Sequence, residues 1–217
     1  MAMSPANTER VAIAVFARAP QAGTAKTRLI PALGAAGAAR LQRRLTLNAL
    51  AVAGSAAIGP VTLWGAPDER QHFFRAVQRC LGIALLRQSG DDLGARMAAA
   101  FAWHAGPLLL IGTDCPALQP GHLVAAAGAL SDGSGGGHDA VLIPAEDGGY
   151  VLLGLRRPQP RLFEGIDWGS ERVMMQTRER LSELGLHWVE LATLWDIDRP
   201  ADLARLAALE GFRAWST

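Results

Sequence analysis

The sequence predicts an α/β fold, with one mostly parallel sheet covered by helices on both faces. Apolar, β-prone runs alternate with longer stretches whose apolar residues recur at helical spacing, a pattern typical of parallel sheets. The apolar runs are continuous rather than alternating with polar residues, as expected for strands buried on both faces. The 217 residues, of which 50% are hydrophobic and 19% charged, suffice for a sizeable core. This length favours a single domain over residues 1–217, with residues 1–10 as a polar tail.

Strands are predicted at seven apolar runs. They are Val11–Ala17, Val61–Gly65, Ile83–Arg87, Pro107–Thr113, Asp139–Pro144, Tyr150–Leu155 and Trp188–Leu191. The connection Ala145–Gly149 is too short for a helical crossover, so the strand that follows it is expected to run antiparallel.

Helices are predicted from apolar residues on one helical face and from capping residues at their first turns. They are Ala35–Ile58, one from Asp68 to Cys80, one beginning at Asp92, Pro120–Leu130, one from Ser170 to Leu184, and Pro200–Leu209. Where such a range begins with Asp or Ser, that residue is expected to cap the helix. The Gly- and Ser-rich segment Ser131–Gly137 is expected to be a mobile connector.

Charge and cysteine content exclude several classes of protein. Lys plus Arg number 21 and Asp plus Glu 20, for a net charge of +1, so the chain has no broad electrostatic attraction for nucleic acid or anionic membranes. No apolar run approaches the ~20 residues of a membrane span. Two cysteines, Cys80 and Cys115, make no disulfide framework, and no signal-peptide pattern is seen. We therefore expect a cytoplasmic protein with reduced thiols, which binds anions through a few placed groups.

The segment after the first strand carries the best candidates for phosphate binding. Ligands of such sheets bind beyond the carboxyl ends of the strands. Arg18, Lys26 and Arg28 lie there among small residues, and Gly23 lets backbone approach a ligand closely. The segment lacks the glycines of a Walker A loop. The alternative is a surface loop with solvated cations.

A carboxylate follows the fourth strand, in Gly112–Pro116. Asp114 could bind Mg²⁺ or Mn²⁺, since these cations prefer oxygen ligands and often share them with substrate phosphates. The alternative is a helix-capping Asp. Cys115 beside it is interpreted as a buried small residue rather than a nucleophile.

The turn after the fifth strand holds two acids, two glycines and an aromatic ring. Glu146 and Asp147 could bind sugar hydroxyls, Gly148 and Gly149 allow a tight turn, and Tyr150 offers a ring face for stacking. The alternative is a β-turn with Asp-Gly chemistry.

Acids also alternate near the C-terminus, in Trp195–Pro200. Asp196 and Asp198 would point to opposite faces of an extended segment, so one can reach the crevice while the other caps or is solvated. Asp202 lies in the first turn of the last helix, where a negative charge is favourable. The alternative is that all three acids are capping groups.

Two further segments have open interpretations. Gln88–Arg96 could border a base pocket or only start a helix, and Trp168 could line a substrate pocket or be a half-buried core residue. The five histidines are scattered without zinc-ligand spacing.

The order and spacing of these motifs resemble a known family. Phe-Ala-Arg-Ala-Pro…Lys-Thr-Arg-Leu, Gly-Asp-Asp-Leu-Gly-Ala-Arg-Met, Ile-Gly-Thr-Asp-Cys-Pro, Pro-Ala-Glu-Asp-Gly-Gly-Tyr and Trp-Asp-Ile-Asp-Arg-Pro are similar to motifs of bacterial predicted nucleotide-diphospho-sugar transferases. These are glycosyltransferase-A-like proteins associated with radical-SAM enzymes and linked by name to arsenosugar biosynthesis. The resemblance runs from Val11 to Leu209, and Lys26–Leu29 is also similar to 2-phospholactate guanylyltransferase. It implies a three-layer, Rossmann-like nucleotide-diphospho-sugar transferase (GT-A) fold.

The resemblance also implies a role for each motif. Asp114 and Asp198 would hold the metal, Mg²⁺ or Mn²⁺, although Thr113-Asp114-Cys115 is not a full D-x-D. The diphosphate would be contacted by Arg18, Lys26 and Arg28. The base would lie near Asp92 and Gly94. The transferred group would be contacted by Asp147, Gly148 and Tyr150.

Three functions remain open on the sequence. The first is a glycosyltransferase that moves a sugar from a nucleotide-diphosphate donor to a small-molecule acceptor, with Asp147 as the general base and Glu146 as the second candidate. The second is a nucleotidylyltransferase (guanylyl or cytidylyl transfer) that uses a nucleoside triphosphate. The third is a non-catalytic nucleotide-sugar binding module. A homodimer is left open.

Overall fold

The part of the chain that the structure describes contains one seven-stranded sheet. The computed structural model describes residues 10–131 and 137–212. In chain order the strands are β1 (Ala12–Arg18), β2 (Val61–Ala66), β3 (Ala84–Arg87), β4 (Leu108–Ile111), β5 (Ala140–Pro144), β6 (Tyr150–Leu155) and β7 (Trp188–Glu190). In space their order is β3-β2-β1-β4-β6-β5-β7, so the predicted α/β fold is confirmed.

One strand, β6, runs against all the others. It pairs antiparallel with both β4 and β5, while the remaining pairs are parallel. The sequence predicted this reversal from the short connection before β6. As a consequence, the start of β6 lies at the same edge of the sheet as the carboxyl ends of β1, β4 and β5. The segments predicted to carry chemistry therefore meet there.

Six α-helices lie within the described residues. They are α1 (Ile30–Ala56), α2 (His72–Leu81), α3 (Leu93–Trp103), α4 (Pro120–Leu130), α5 (Val173–Glu183) and α6 (Asp202–Ala208). Short 3-10 turns cover Thr27–Leu29 and Pro160–Phe163. No helix in this part of the chain is long and apolar enough to cross a membrane.

The helices pack as two layers around the sheet. Ile13 and Val15 of β1 belong to a buried cluster with α1, α2 and α4. Ala14 and Phe16 point to the opposite face, where they join α3 and α5. A third cluster joins the first half of α1 to Ile197 and α6. Burial on both faces explains why the strands read as continuous apolar runs.

Helix starts were predicted less well. Asp92 does cap α3, accepting a hydrogen bond from the Ala95 amide at 2.7 Å. The prediction for Asp68 was wrong: α2 begins at His72, and the Asp68 carboxylate accepts from the Arg70 amide instead. The prediction for Ser170 was also wrong: the N-cap of α5 is Arg172, and the Ser170 hydroxyl accepts from the Arg172 amide before the helix begins at Val173.

The first helix starts earlier than predicted, at Ile30. Gly34 interrupts it with φ 67° and ψ 163°, so the regular part begins at the predicted Ala35. Within the segment Ser131–Gly137, which was expected to be mobile, residues 132–136 lie outside the described residues, as do residues 1–9 of the expected polar tail 1–10.

Candidate active site

A large cavity opens at the sheet edge where β1 and β4 end and β6 begins. Its volume is about 1100 Å³. Most of the sequence-predicted site residues line it, namely Arg18, Lys26, Arg28, Asp114, Glu146, Asp147, Gly149, Tyr150, Trp168 and Asp198. Four others do not line it: Gly23, Asp92, Gly94 and Gly148.

Lys26 is the most enclosed cation of this cavity. Its side chain is 4% exposed, and its ammonium lies 3.0 Å from an Asp114 carboxylate oxygen. The same ammonium donates to the carbonyl oxygen of Ile197. Lys26 thus joins the loop after β1, the end of β4 and the segment before α6. A buried ammonium requires such partners because it has left water.

The Asp114 carboxylate is held from its other side by a chain of polar groups. The Thr113 hydroxyl donates to the second Asp114 oxygen at 3.3 Å, and the Gln42 amide donates to that hydroxyl at 3.0 Å. Gln42 and Thr113 are both buried, whereas the Asp114 side chain is 50% exposed. The carboxylate is therefore oriented from within the protein and open to the cavity.

Sequence reasoning missed Gln42 and Thr113 as supports of Asp114. The signal was present, since Gln42 is a polar residue beside Leu41 on the inner part of α1. Its partner could not be read from the sequence because Thr113 lies 71 positions away.

Asp198 forms an ion pair with Arg28, and its side chain is 35% exposed. Its backbone N–H and that of Arg199 donate to the Asp202 carboxylate at 3.0 and 2.7 Å. Asp202 therefore fixes the segment that leads into α6. Two of the residues predicted to hold the ligand, Arg28 and Asp198, are paired with each other.

Asp196 is a further site residue that sequence reasoning did not select. It lines the cavity, and burial together with the neighbouring carboxylates of Asp147 and Asp114 raises its pKa to about 6, opposed by Lys26. The sequence indicated that either Asp196 or Asp198 would reach the crevice. Both line it.

The turn between β5 and β6 has a different role for each of its acids. Both oxygens of Glu146 accept hydrogen bonds from the Arg205 guanidinium, at 2.7 and 3.0 Å, and this pairing lowers the pKa of Glu146. Asp147 accepts from the Gly149 amide at 3.0 Å. Glu146 is therefore engaged with α6, and Asp147 is the better placed of the two to meet a ligand.

Gly148 is required by backbone packing rather than by the cavity. It has φ 90°, and a Cβ there would lie 2.1 Å from the carbonyl oxygen of Glu171. Tyr150 next to it is half-buried, its hydroxyl 3.7 Å from the sulfur of Met97. Burial raises the pKa of Tyr150, so its ring forms a neutral wall.

The segment Gln88–Arg96, which was expected either to border a base pocket or to start a helix, forms one wall of the cavity. Gln88 donates to the Trp64 carbonyl at 2.8 Å. Gln88, Leu93 and Arg96 line the cavity, and Leu93 is 43% exposed. The segment therefore starts α3 and also lines the cavity; that it borders a nucleotide base stays a prediction.

Asp92 and Gly94, which the resemblance placed near the base, have structural roles. Asp92 is the cap of α3. A Cβ on Gly94 would lie 2.5 Å from the indole nitrogen of Trp168, so this glycine lets the ring pack against α3. Trp168 joins the apolar cluster on that face and also lines the cavity. Gly23 adopts φ 87°, with open space around its Cβ position.

Cys115 is buried, and burial raises the pKa of its thiol to about 12. A thiol in this state is a weak nucleophile at neutral pH. The interpretation of Cys115 as a buried small residue agrees with this environment.

The carboxylates fit a divalent cation that arrives with a phosphate. No group of three or more His, Cys, Asp or Glu in residues 10–131 and 137–212 is arranged to hold a metal alone. Asp114 and Asp198 both line the cavity and are partly exposed to it. Mg²⁺ commonly uses one or two carboxylates together with substrate phosphates, and these two acids are of the kind that it prefers.

Comparison with known proteins gives one family match. The sequence pattern of the family described as "Uncharacterized protein conserved in bacteria (DUF2064)" matches residues 46–170. No curated protein matches the chain.

Several solved structures share the fold. A provisionally assigned nucleotide-diphospho-sugar transferase from Desulfovibrio desulfuricans G20 is 27% identical, with a TM-score of 0.80 over 94% of this chain and 90% of that one. The CTP complex of CMP:2-keto-3-deoxy-manno-octonic acid synthetase is 15% identical, with a TM-score of 0.57 over 91% and 97%. Glucosyl-3-phosphoglycerate synthase from Mycobacterium tuberculosis, in complex with Mn²⁺, UDP and glucosyl-3-phosphoglycerate, is 11% identical, with a TM-score of 0.53 over 91% and 76%. These neighbours are glycosyl and nucleotidyl transferases.

Proposed function

The chain belongs to the DUF2064 family of uncharacterized bacterial proteins, and we propose that it is a metal-dependent glycosyltransferase that uses a nucleotide-diphosphate sugar and a small-molecule acceptor. The observation that carries the proposal is the cavity in which Lys26 meets Asp114. Cations suited to phosphate and carboxylates suited to metal and sugar line the same walls. The Desulfovibrio relative, at 27% identity, supports the donor class.

The phosphate end of the donor would lie near the loop after β1. Arg18, Lys26 and Arg28 line the cavity there, and arginine binds phosphate oxygens through a fork of donors. Negative charge grows on the leaving diphosphate during transfer. Preorganised cations that face this charge stabilise the transition state, and one such donor is typically worth roughly a hundred- to a thousandfold in rate.

The metal would be held by Asp114, with Asp198 as the second ligand. When bound, Mg²⁺ or Mn²⁺ supplies a Lewis acid that neutralises charge on the phosphate oxygens. The Mycobacterium relative was solved with Mn²⁺ and UDP, which supports this choice of ion. Asp198 must exchange Arg28 for the ligand, because the two now form an ion pair.

The sugar and the acceptor would lie against the turn between β5 and β6. Asp147 would accept the proton of the acceptor hydroxyl, while Glu146 holds the turn to α6 through Arg205. Tyr150 and Trp168 supply aromatic walls, which suit the apolar face of a sugar ring. Gly149 donates its N–H to Asp147 and so positions that base.

Nucleotidyl transfer is the second candidate, because the cations that line the cavity could also meet the phosphates of a nucleoside triphosphate. An acceptor that is already a phosphate would need no general base. The synthetase that was solved with CTP shares the fold of this chain, and that fold can therefore hold a nucleoside triphosphate.

Thermal shift separates these candidates. Wild type and Asp114→Ala are heated with a panel of nucleotide sugars and nucleoside triphosphates, with and without Mn²⁺ or Mg²⁺. We expect a nucleotide sugar to raise the Tm of wild type only when metal is present, and not to do so in Asp114→Ala. Glu179→Ala, which removes an exposed carboxylate on α5, is the control and should respond like wild type. Equal stabilisation of wild type and Asp114→Ala without metal would contradict the metal role, and pyrophosphate release from a triphosphate would establish the second candidate.

A further inference from the structure

Lys26 has an unusual environment for a residue expected to bind phosphate. Its side chain is almost fully enclosed, and its ammonium contacts an Asp114 oxygen and the Ile197 carbonyl. Its backbone adopts a left-handed conformation, with φ 48° and ψ 48°, which non-glycine residues seldom adopt. The loop thus delivers a positive charge to the carboxylate that is proposed to bind the metal.

Two cations cannot share Asp114 without cost. The oxygen that contacts the ammonium is one of only two on the carboxylate, and the other accepts from Thr113. A divalent cation bound to Asp114 would lie close to this ammonium, and the two positive charges would repel each other. Such repulsion is strong in a partly enclosed site, so the lysine opposes the metal as long as it stays on Asp114.

A phosphate group can remove this opposition. The ammonium has three donors, and the cavity that it borders also contains Arg18 and Arg28. A phosphate held by these arginines would bring negative charge to the ammonium and weaken its attraction for Asp114. The carboxylate would then be free to accept a divalent cation.

We infer that Lys26 is an internal counter-ion that takes the place of the divalent cation on Asp114, so that the metal binds tightly only when a phosphate group has drawn the ammonium away. This inference rests on the proposed metal-dependent function and adds an order of binding to it. Lys26 is a positioning residue in this role, coupling two ligands of opposite charge. The coupling would keep the empty enzyme from holding a metal on its own.

The test uses Lys26→Met in the full chain, with each ligand measured alone. Isothermal titration with Mn²⁺, without any phosphate, should show at least about tenfold tighter binding in Lys26→Met than in wild type, because a unit charge that opposes a divalent ion is gone. Titration with pyrophosphate, without any metal, should show about tenfold weaker binding, because a charge-assisted contact is lost. A merely structural role of Lys26 would weaken both ligands, so the opposite signs are the diagnostic result.

Three variants make the result interpretable. Lys26→Gln keeps a donor without the charge and should change both affinities in the same directions. Arg178→Met breaks a carboxylate ion pair with Glu190, whose contacts lie outside the cavity, and should change neither affinity. In the double variant Lys26→Met/Asp114→Ala, the gain in Mn²⁺ affinity should vanish.

Two outcomes would overturn the inference in distinguishable ways. If wild type and Lys26→Met bind Mn²⁺ equally well, the lysine does not oppose the metal, and the proposed function stands without this coupling. If neither binds Mn²⁺ at millimolar concentration, either alone or with a nucleotide sugar present, both the coupling and the metal-dependent function fail.

Discussion

Replacing Asp196 by asparagine should stabilise the protein above pH 6 and leave it unchanged near pH 4. Burial and the carboxylates of Asp147 and Asp114 raise the pKa of Asp196 from its ordinary 3.8 to about 6. A group with a raised folded-state pKa favours its protonated form in the folded protein. Wild type therefore loses stability as the pH rises from about 4 to about 6, while asparagine, which resembles the protonated acid, does not.

The size of the stability difference follows from the interval between the ordinary and the raised pKa of Asp196. About two pH units separate the ordinary value from the raised one, and each is worth ~1.4 kcal/mol, which gives an upper limit of about 3 kcal/mol. Asp196 is only half-buried, so water screens part of this repulsion. We expect Asp196→Asn to gain about 1–2 kcal/mol of unfolding free energy at pH 8.

Urea unfolding of both proteins in EDTA, at intervals between pH 4 and pH 8, measures this difference directly. Glu179→Gln is the control for removing an exposed carboxylate and should show no comparable trend. The electrostatic explanation is refuted if the stability difference between Asp196→Asn and wild type does not change with pH, or if it has the opposite sign.

Two further substitutions test the packing and the polar support of the site. Gly148→Ala should cost about 2–4 kcal/mol of unfolding free energy, because the backbone there is left-handed and the new Cβ would lie 2.1 Å from the Glu171 carbonyl oxygen. The control Gly54→Ala meets nothing within 4 Å and should be neutral or stabilising. Equal costs for the two variants in urea unfolding would disprove the steric argument. Gln42→Met should cost about 1 kcal/mol, because the amide that donates to Thr113 at 3.0 Å is buried; chemical denaturation that finds the variant as stable as wild type would show that this hydrogen bond contributes nothing net.

The order of strands and helices could be predicted because it depends on local information. An apolar run of strand length, or a set of apolar residues on one helical face, indicates a buried strand or helix without reference to distant residues. The antiparallel direction of β6 followed from a chain-length argument, since Ala145–Gly149 cannot cross the sheet. The start of α2 was not predictable in this way, because Asp68 accepts from the Arg70 amide before the helix and the helix begins at His72 without a side-chain cap.

The candidate site was predicted in composition but not in its pairing. Sequence reasoning selected Lys26, Asp114, Arg28 and Asp198 as ligand-facing groups, and all four line one cavity. It did not show that they form two ion pairs with each other. Asp92 and Gly94 were chosen by resemblance, yet they cap α3 and admit Trp168.

The sequence by itself determined that acids and cations lie at the ends of buried strands. The length of a strand and the polarity of the residues that follow it can be read from residues that are neighbours in the chain. Only the tertiary structure decided which charges meet. Lys26 reaches a carbonyl 171 positions away, and Asp196 has a raised pKa because the fold buries it and places two other carboxylates beside it. Electrostatic interaction depends on distance in space and on burial, and neither is contained in sequence spacing.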